Sequence, residues 1–300
     1  MSPDAKPATN EELAIGAAPA PGPARAVPPV VGALRFFTGE LRLIFGRRRN
    51  QVGLLVLAVI PILISIAIKV SGPDPGDGPG FLTSITENGF FVAVVALTLE
   101  LPLFLPMAVA TLSGDAIAGE AQLGTLRYVL TVPVNRTRLL ATKYATLIVG
   151  AIVAPLLVAT VGMISGGILF GMGPVTTISG AQIGLGEAIG RLLLMVGYLA
   201  VCLAAVGAIG LLVSTLTEQP IAATLATIGL VTIAFVLNQI PQLDWLHPFL
   251  LVHQWLAFTD LLFEPVLLDN ITNGLLVNGA WAAVALSIAW ARFSGRDITA

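Results

Sequence analysis

The sequence is poor in charge, in cysteine and in histidine. Only 11% of its 300 residues are charged, against roughly 25% in soluble domains, which excludes an ordinary soluble protein. A single cysteine excludes a disulfide framework and a cysteine metal site. The net charge of −2 gives no basic surface for a nucleic acid. A nucleotide site of the P-loop type is also excluded, because Gly-x-x-x-x-Gly-Lys-Ser/Thr does not occur.

What the chain does have is long apolar runs, since 56% of its residues are hydrophobic. A helix needs roughly 20 apolar residues to cross about 30 Å of hydrocarbon. The sequence therefore predicts an all-α polytopic membrane protein with six transmembrane helices. We place these spans at about residues 51–70, 89–112, 139–170, 191–216, 220–237 and 274–290.

The positive charges indicate how the spans are oriented. Of the 15 Lys and Arg residues, all but Lys69 and Arg191 fall on the side that holds both termini. Positive residues accumulate on the cytoplasmic side of a membrane, so both termini are predicted to be cytoplasmic. The composition, rich in Ala, Gly and Pro, is typical of a bacterial genome rich in G and C, and we expect a location in the cell inner (cytoplasmic) membrane.

The N-terminal region divides into two parts. Residues 1–29 are rich in Ala and Pro, lack the apolar core of a signal peptide, and are predicted to be a disordered cytoplasmic tail. Residues 30–50 are predicted to be an amphipathic helix in the membrane interface, or else a basic flank of the first span. Its apolar stripe recurs at i, i+3, i+7 and i+10 in Leu34, Phe37, Leu41 and Ile44. Residues 293–300 are predicted to be a second cytoplasmic tail.

A polar loop, residues 114–143, interrupts the apolar sequence between the second and third spans. Asp115 can cap a short helix over residues 116–124, in which Ile117 and Leu123 recur at near-helical spacing around Glu120. The pair Gly124-Thr125 ends that helix. Basic residues close the loop, where they hold the start of the third span at the cytoplasmic headgroups. These residues are Arg136, Arg138 and Lys143.

The order of residues in this loop resembles the cytoplasmic loop of type-2 ATP-binding-cassette (ABC) exporter permeases. The resemblance lies in Glu120, Gly124-Thr125-Leu126, Leu130, Pro133-Val134, Arg136, Leu139-Leu140 and Lys143. It implies a coupling helix that sits in a cleft of the ATPase subunit, formed here by Asp115, Ile117, Glu120, Leu123, Gly124 and Thr125. It also implies a connecting helix before the first span and re-entrant helices between spans five and six.

The same resemblance implies a six-span permease domain over residues 51–292, the membrane subunit of an exporter. Two copies, or one copy and a related permease, would pair with two ATPase subunits. ATP and Mg would bind in those partners, so the chain is not expected to be an enzyme or to hold a cofactor. Lipid is the surrounding partner, and no nucleic acid is expected. Permeases of this layout handle drugs, peptides, lipids and ions, so the motif does not identify the substrate.

Glu100 is the acidic residue that falls inside a predicted span. A charge at the middle of a bilayer costs about 2.5–3.5 kcal/mol on insertion scales, so it should face protein or water. It can line a substrate path or relay protons, or it can be a protonated or hydrogen-bonded group that stabilises a break near Pro102. An ion-coupled secondary transporter that uses Glu100 is therefore the alternative function. An intramembrane enzyme is disfavoured because no histidine lies in a span.

Residues 238–273 mix polar and apolar residues, and two short helices that dip into the outer leaflet are predicted there. Trp245 and Trp255 are typical of membrane-interface anchors. His247 and His253 lie beside acidic residues, but their spacing matches no recognised metal-ligand pattern. We interpret them as interfacial histidines.

Overall fold

The computed structural model describes residues 29–71, 88–122 and 136–295. Its helices are α1 (Pro29–Gly46), α2 (Arg48–Ser71), α3 (Phe90–Glu100), α4 (Phe104–Gln122), α5 (Arg136–Phe170), α6 (Leu185–Leu216), α7 (Pro220–Asn238) and α8 (Asp269–Gly295). Two strands, β1 (Val175–Thr176) and β2 (Gln182–Ile183), pair antiparallel between α5 and α6. The chain divides into two compact units, Met1–Phe36 and Phe37–Ala300. Only residues 29–36 of the first unit are described, and Leu34 there is 58% exposed.

Five of these helices are long and apolar enough to cross a membrane, namely α2, α5, α6, α7 and α8. The pair α3 and α4 passes the same test together, which gives six spans if the pair crosses as one. The predicted all-α polytopic fold is confirmed. The helices extend beyond the predicted spans at eight of the twelve ends, by one to ten residues, because flanking polar residues continue the helix past the apolar run.

A bend of 57° separates α3 from α4. Pro102 lies in the three-residue break, where its ring removes a backbone donor, while Leu101 before it keeps helical dihedrals. Glu100 is the last residue of α3 and is completely buried. The second predicted span, 89–112, is thus two helical pieces rather than one rod.

Helix α6 lies at the centre of the second unit. It packs against α4, α5, α7 and α8, and 72% of its most apolar stretch is buried, against 17% for α2. Since the two stretches are almost equally apolar, their different burial reflects position. Helix α2 therefore turns most of its apolar surface outward, where lipid is the natural solvent.

Helices α3 and α5 approach each other at glycines. A Cβ atom on Gly162 would lie 2.7 Å from the Cα atom of Ala93, and one on Gly166 would overlap the backbone of Gly89. The i, i+4 spacing of Gly162 and Gly166 thus serves helix packing, as small residues do in membrane proteins. Helix α3, with eight consecutive buried residues from Phe90, depends on this contact.

The segment between α7 and α8 contains short 3-10 helices rather than two regular ones. They are Pro241–Leu243, His247–Phe249 and Trp255–Leu262. Trp245 is 71% exposed, but Trp255 is fully buried, where its indole packs edge-on against Phe235 and donates to Asn278. The prediction that Trp255 anchors the membrane interface is wrong, because its ring fills the interior instead.

Candidate functional site

Helices α4 and α5 are longer than the hydrocarbon requires. Helix α5 has 35 residues, which is about 52 Å against roughly 30 Å of hydrocarbon. The prediction of a separate short helix capped by Asp115 is wrong, because residues 115–122 are the last two turns of α4. No proline interrupts α4 after Pro106, and the helix continues into the polar loop through Ser113-Gly114.

Lys143 is the centre of a buried ion triad. Its Nζ atom donates to both carboxylate oxygens of Glu40, at 3.2 and 3.1 Å, and to Oε1 of Glu120. The three side chains come from α5, α1 and α4. Their exposed fractions are only 3%, 9% and 16% for Lys143, Glu40 and Glu120. The triad therefore joins three helices by charge-assisted hydrogen bonds in a poorly solvated place.

Asp115 forms a second, more open group with two arginines. Its Oδ2 atom accepts from Nη1 of Arg47 at 2.7 Å and from Nη2 of Arg49. Arg49 also donates to the carbonyl of Thr111 at 3.4 Å. Asp115 thereby ties α4 to the junction of α1 and α2. We call the six residues of both groups the ionic cluster: Glu40, Arg47, Arg49, Asp115, Glu120 and Lys143.

Below its charged face, α4 is held against α6 by one hydroxyl. Ser214 Oγ donates to the carbonyl of Gly114 at 3.0 Å and accepts from the backbone N–H groups of Ile117 and Ala118, at 3.1 and 2.9 Å. Gly114 lets α4 approach α7 closely as well, since a Cβ atom there would lie 2.9 Å from the carbonyl oxygen of Pro220. The end of α4 is thus fixed on one side by charge and on the other by backbone hydrogen bonds.

The start of α5 is attached to the end of α8. Arg136 Nη1 donates to the carbonyls of Phe293 and Ser294, at 3.3 and 2.9 Å, and Trp290 donates to Thr137 at 3.0 Å. A basic side chain at the last carbonyls of a helix also opposes the negative end of its dipole. Arg138 is exposed.

The predicted site residues fall into three groups. Asp115, Glu120 and Lys143 come together in the ionic cluster, whereas Ile117 is 3% exposed and faces the interior. Leu123, Gly124 and Thr125 lie outside the described residues. An ATPase contact by these residues stays a prediction.

Sequence reasoning missed Glu40, Arg47 and Arg49 as members of the site. Glu40 had a signal, because it is the single acidic residue within the basic stretch 30–50. The arginines had none beyond their charge, since their partner lies more than sixty residues away in the chain.

Glu100 lies apart from the ionic cluster. Both carboxylate oxygens are buried, and among the described residues neither has a hydrogen-bond partner. It lies at the break between α3 and α4.

The histidines attach the segment after α7 to the end of that helix. His247 Nε2 lies 3.2 Å from the carbonyl of Leu237, and His253 Nδ1 lies 2.7 Å from Oδ1 of Asn238. In the part of the chain that the structure describes, no three His, Cys, Asp or Glu side chains are grouped so as to hold a metal ion. The histidines instead connect the first 3-10 turns to the end of α7.

The five or six helices of the described residues that can cross a membrane define a multi-pass membrane protein. A family model described as ABC-2 family transporter protein matches residues 47–234, and the chain belongs to this family. It is therefore the membrane component of an ABC transporter, a component that is not itself catalytic, and the family implies an ATPase partner. Comparison with curated proteins finds no match.

Proposed function

We propose that the chain is the permease subunit of an ABC exporter in the cytoplasmic membrane, with both termini in the cytoplasm. The distribution of its 15 Lys and Arg residues supports this orientation. Two permease copies, or one copy with a related permease, assemble with two ATPase subunits that bind ATP and Mg. Substrate passes between the permeases by alternating access, driven by hydrolysis in the partners.

The end of α4, with the residues that follow it, is the proposed contact with the ATPase. The observation that supports this is the ionic cluster. A displacement of α4 acts on α5 and α1 through Lys143, and on the start of α2 through Asp115. A loop with no rigid connection to the spans would absorb the same displacement. The cluster instead passes it to three helices at once.

The burial of the triad makes this connection stiff. Breaking a buried ion pair by removing one partner costs about 3–5 kcal/mol, because the remaining charge stays desolvated. An exposed pair contributes only about 0–1 kcal/mol and would yield easily. With Lys143 only 3% exposed, the Lys143 contacts belong to the first kind.

The test uses the purified ATPase together with the permease in nanodiscs. Glu120→Arg places a second cation against Lys143, and we expect the variant to lose ATPase co-purification or the stimulation of ATP hydrolysis by the permease. Glu218→Arg is the matched control, an exposed acid in the tight turn between α6 and α7. Size-exclusion profiles check that both variants are folded. A Glu120→Arg protein that binds and stimulates the ATPase as the wild type does contradicts the proposed coupling.

The unpartnered carboxyl of Glu100 favours one alternative, an ion-coupled secondary transporter. In that case the permease alone, in proteoliposomes with an imposed pH gradient, would dissipate the gradient, and Glu100→Gln would abolish this flux. The exporter proposal expects no proton flux without the ATPase.

A further inference from the structure

The cytoplasmic halves of α2, α4 and α5 enclose an apolar groove of about 290 Å³. We call it the inner groove. Side chains of α2 and α4 form its walls, and two small residues of α5 form its floor. Representative lining residues are Gly53, Leu57, Phe104, Met107, Gly150 and Ala154.

The groove has the length of one membrane leaflet. It runs along α2 from Arg49 to Leu57 and along α4 from Leu112 to Phe104. Eight residues of helix rise about 12 Å, close to the roughly 15 Å of hydrocarbon in one leaflet. Its far end lies at the break before α4, near the middle of the second span. An acyl chain entering at the headgroups would therefore fit along it.

The mouth of the groove is basic. Arg49 lines it with a side chain that is 47% exposed, and Arg48 beside it is also exposed. Arg49 shares a single carboxylate, that of Asp115, with Arg47. Two guanidinium groups against one carboxylate leave an excess positive charge. In the described part of the chain, only one nitrogen of Arg49, Nη2, makes a hydrogen bond, so its other donors remain for a ligand.

We propose that the inner groove binds an anionic phospholipid of the cytoplasmic leaflet, with its phosphate at Arg49 and one acyl chain along α2 and α4. The proposal depends on the orientation under Proposed function, but not on the coupling mechanism. Charge complementarity selects this occupant, because the cytoplasmic leaflet contains the anionic lipids. Arginine also matches a phosphate by bidentate hydrogen bonding.

A second groove lies between the outer halves of α2 and α5, and we call it the outer groove. It is apolar like the inner groove but has no basic mouth. It is lined by apolar residues such as Ile62, Ile66 and Ile168. The nearby cation, Lys69, already donates to the carbonyl of Leu169 at 3.0 Å and lies over the ring of Phe170. The outer groove therefore offers an acyl chain a surface, while its nearby cation is already held by a backbone carbonyl and an aromatic ring.

Gly53 makes the proposal testable without disturbing the fold. A Cβ atom on Gly53 would meet nothing within 4 Å, so a large side chain there fills the groove rather than the protein. Gly53→Phe is the blocking variant. Gly279→Phe is its matched control, because Gly279 on α8 has equally open space but lines no groove described above.

The measurement is native mass spectrometry of the purified permease with phosphatidylglycerol or phosphatidylcholine of identical acyl chains. We expect one phosphatidylglycerol molecule to bind with about fivefold higher affinity than phosphatidylcholine, which is the effect of one basic residue at a membrane surface. Arg49→Gln should remove this preference, and Arg49→Lys should keep most of it. Gly53→Phe should reduce binding of both lipids, while Gly279→Phe and Arg292→Gln should bind as the wild type does.

Equal binding of both lipids to the wild type would overturn the proposal, as would unchanged binding to Gly53→Phe. A second permease copy in the groove would also overturn it. Gly53→Cys tests for that copy, since the native Cys202 is buried, and disulfide-linked dimers through position 53 would identify the copy as the occupant. No ATPase is present in any of these measurements, so failure of the proposed coupling leaves their outcome unchanged.

Discussion

Replacing Lys143 with methionine tests whether the buried triad holds the helices together. The side chain of methionine has a similar length but no charge, so Glu40 and Glu120 would face each other without a cation. Both carboxyls are mostly buried, at 9% and 16% exposure, and water can solvate them only partly. Loss of one partner of a buried ion pair costs about 3–5 kcal/mol. At roughly 2–4 °C per kcal/mol, the unfolding midpoint should fall by about 6–20 °C.

The assay is thermal unfolding of the purified permease in detergent, followed by tryptophan fluorescence. Arg42→Met is the control, because Arg42 is an exposed cation on α1 and should change the midpoint by less than about 2 °C. Adding Glu40→Gln and Glu120→Gln to Lys143→Met should recover most of the lost stability. Three neutral side chains then replace the buried triad, and such a replacement changes the free energy of unfolding little. The reasoning is refuted if Lys143→Met unfolds like the control, or if the triple variant is less stable than the single one.

Three further changes test other contacts. Gly166→Ala should destabilise by about 1–3 kcal/mol in denaturant titrations, because its Cβ overlaps the backbone of Gly89, just before α3; Gly229→Ala, which has open space, should not. Trp255→Ala should reduce stability by about 3–5 kcal/mol in the same assay, as expected for a fully buried ring. Burial and the neighbouring His247 lower the pKa of His253 in the folded state, although Asp244 opposes the shift. The unfolded chain then binds the proton more tightly, so stability falls as the pH drops from about 6.5 through the lowered pKa, and His253→Gln should flatten the dependence of the unfolding midpoint on pH.

The spans could be predicted because apolar length alone decides whether a helix can cross hydrocarbon. The bend in the second span had its signal in Pro102, next to an acid that lipid would not tolerate. The burial of Trp255 could not be read in the same way. Interface and interior favour the same aromatic side chain, and only the packing against Phe235 and Asn278 separates them.

The ionic cluster was only half predictable. The polar loop drew attention to Asp115, Glu120 and Lys143 through their charge and spacing. Their partners could not be identified, because an acid in α1 and the arginines after it are separated from them by long stretches of chain. The local sequence also did not show that Asp115 lies inside a helix. Aspartate is a typical capping residue, but it is also tolerated in a helix interior when arginines pair with it, as they do here.

The hydroxyl of Ser214 has a consequence for movement. It occupies three backbone groups within one turn of α4, so twisting α4 about its own axis relative to α6 would break all three hydrogen bonds together. Tilting the two helices as a single lever breaks none. The pivot for such a lever lies at residues 101–103, where the backbone between α3 and α4 is already interrupted. The pathway would then open by a joint tilt of α4 and α6 about residues 101–103.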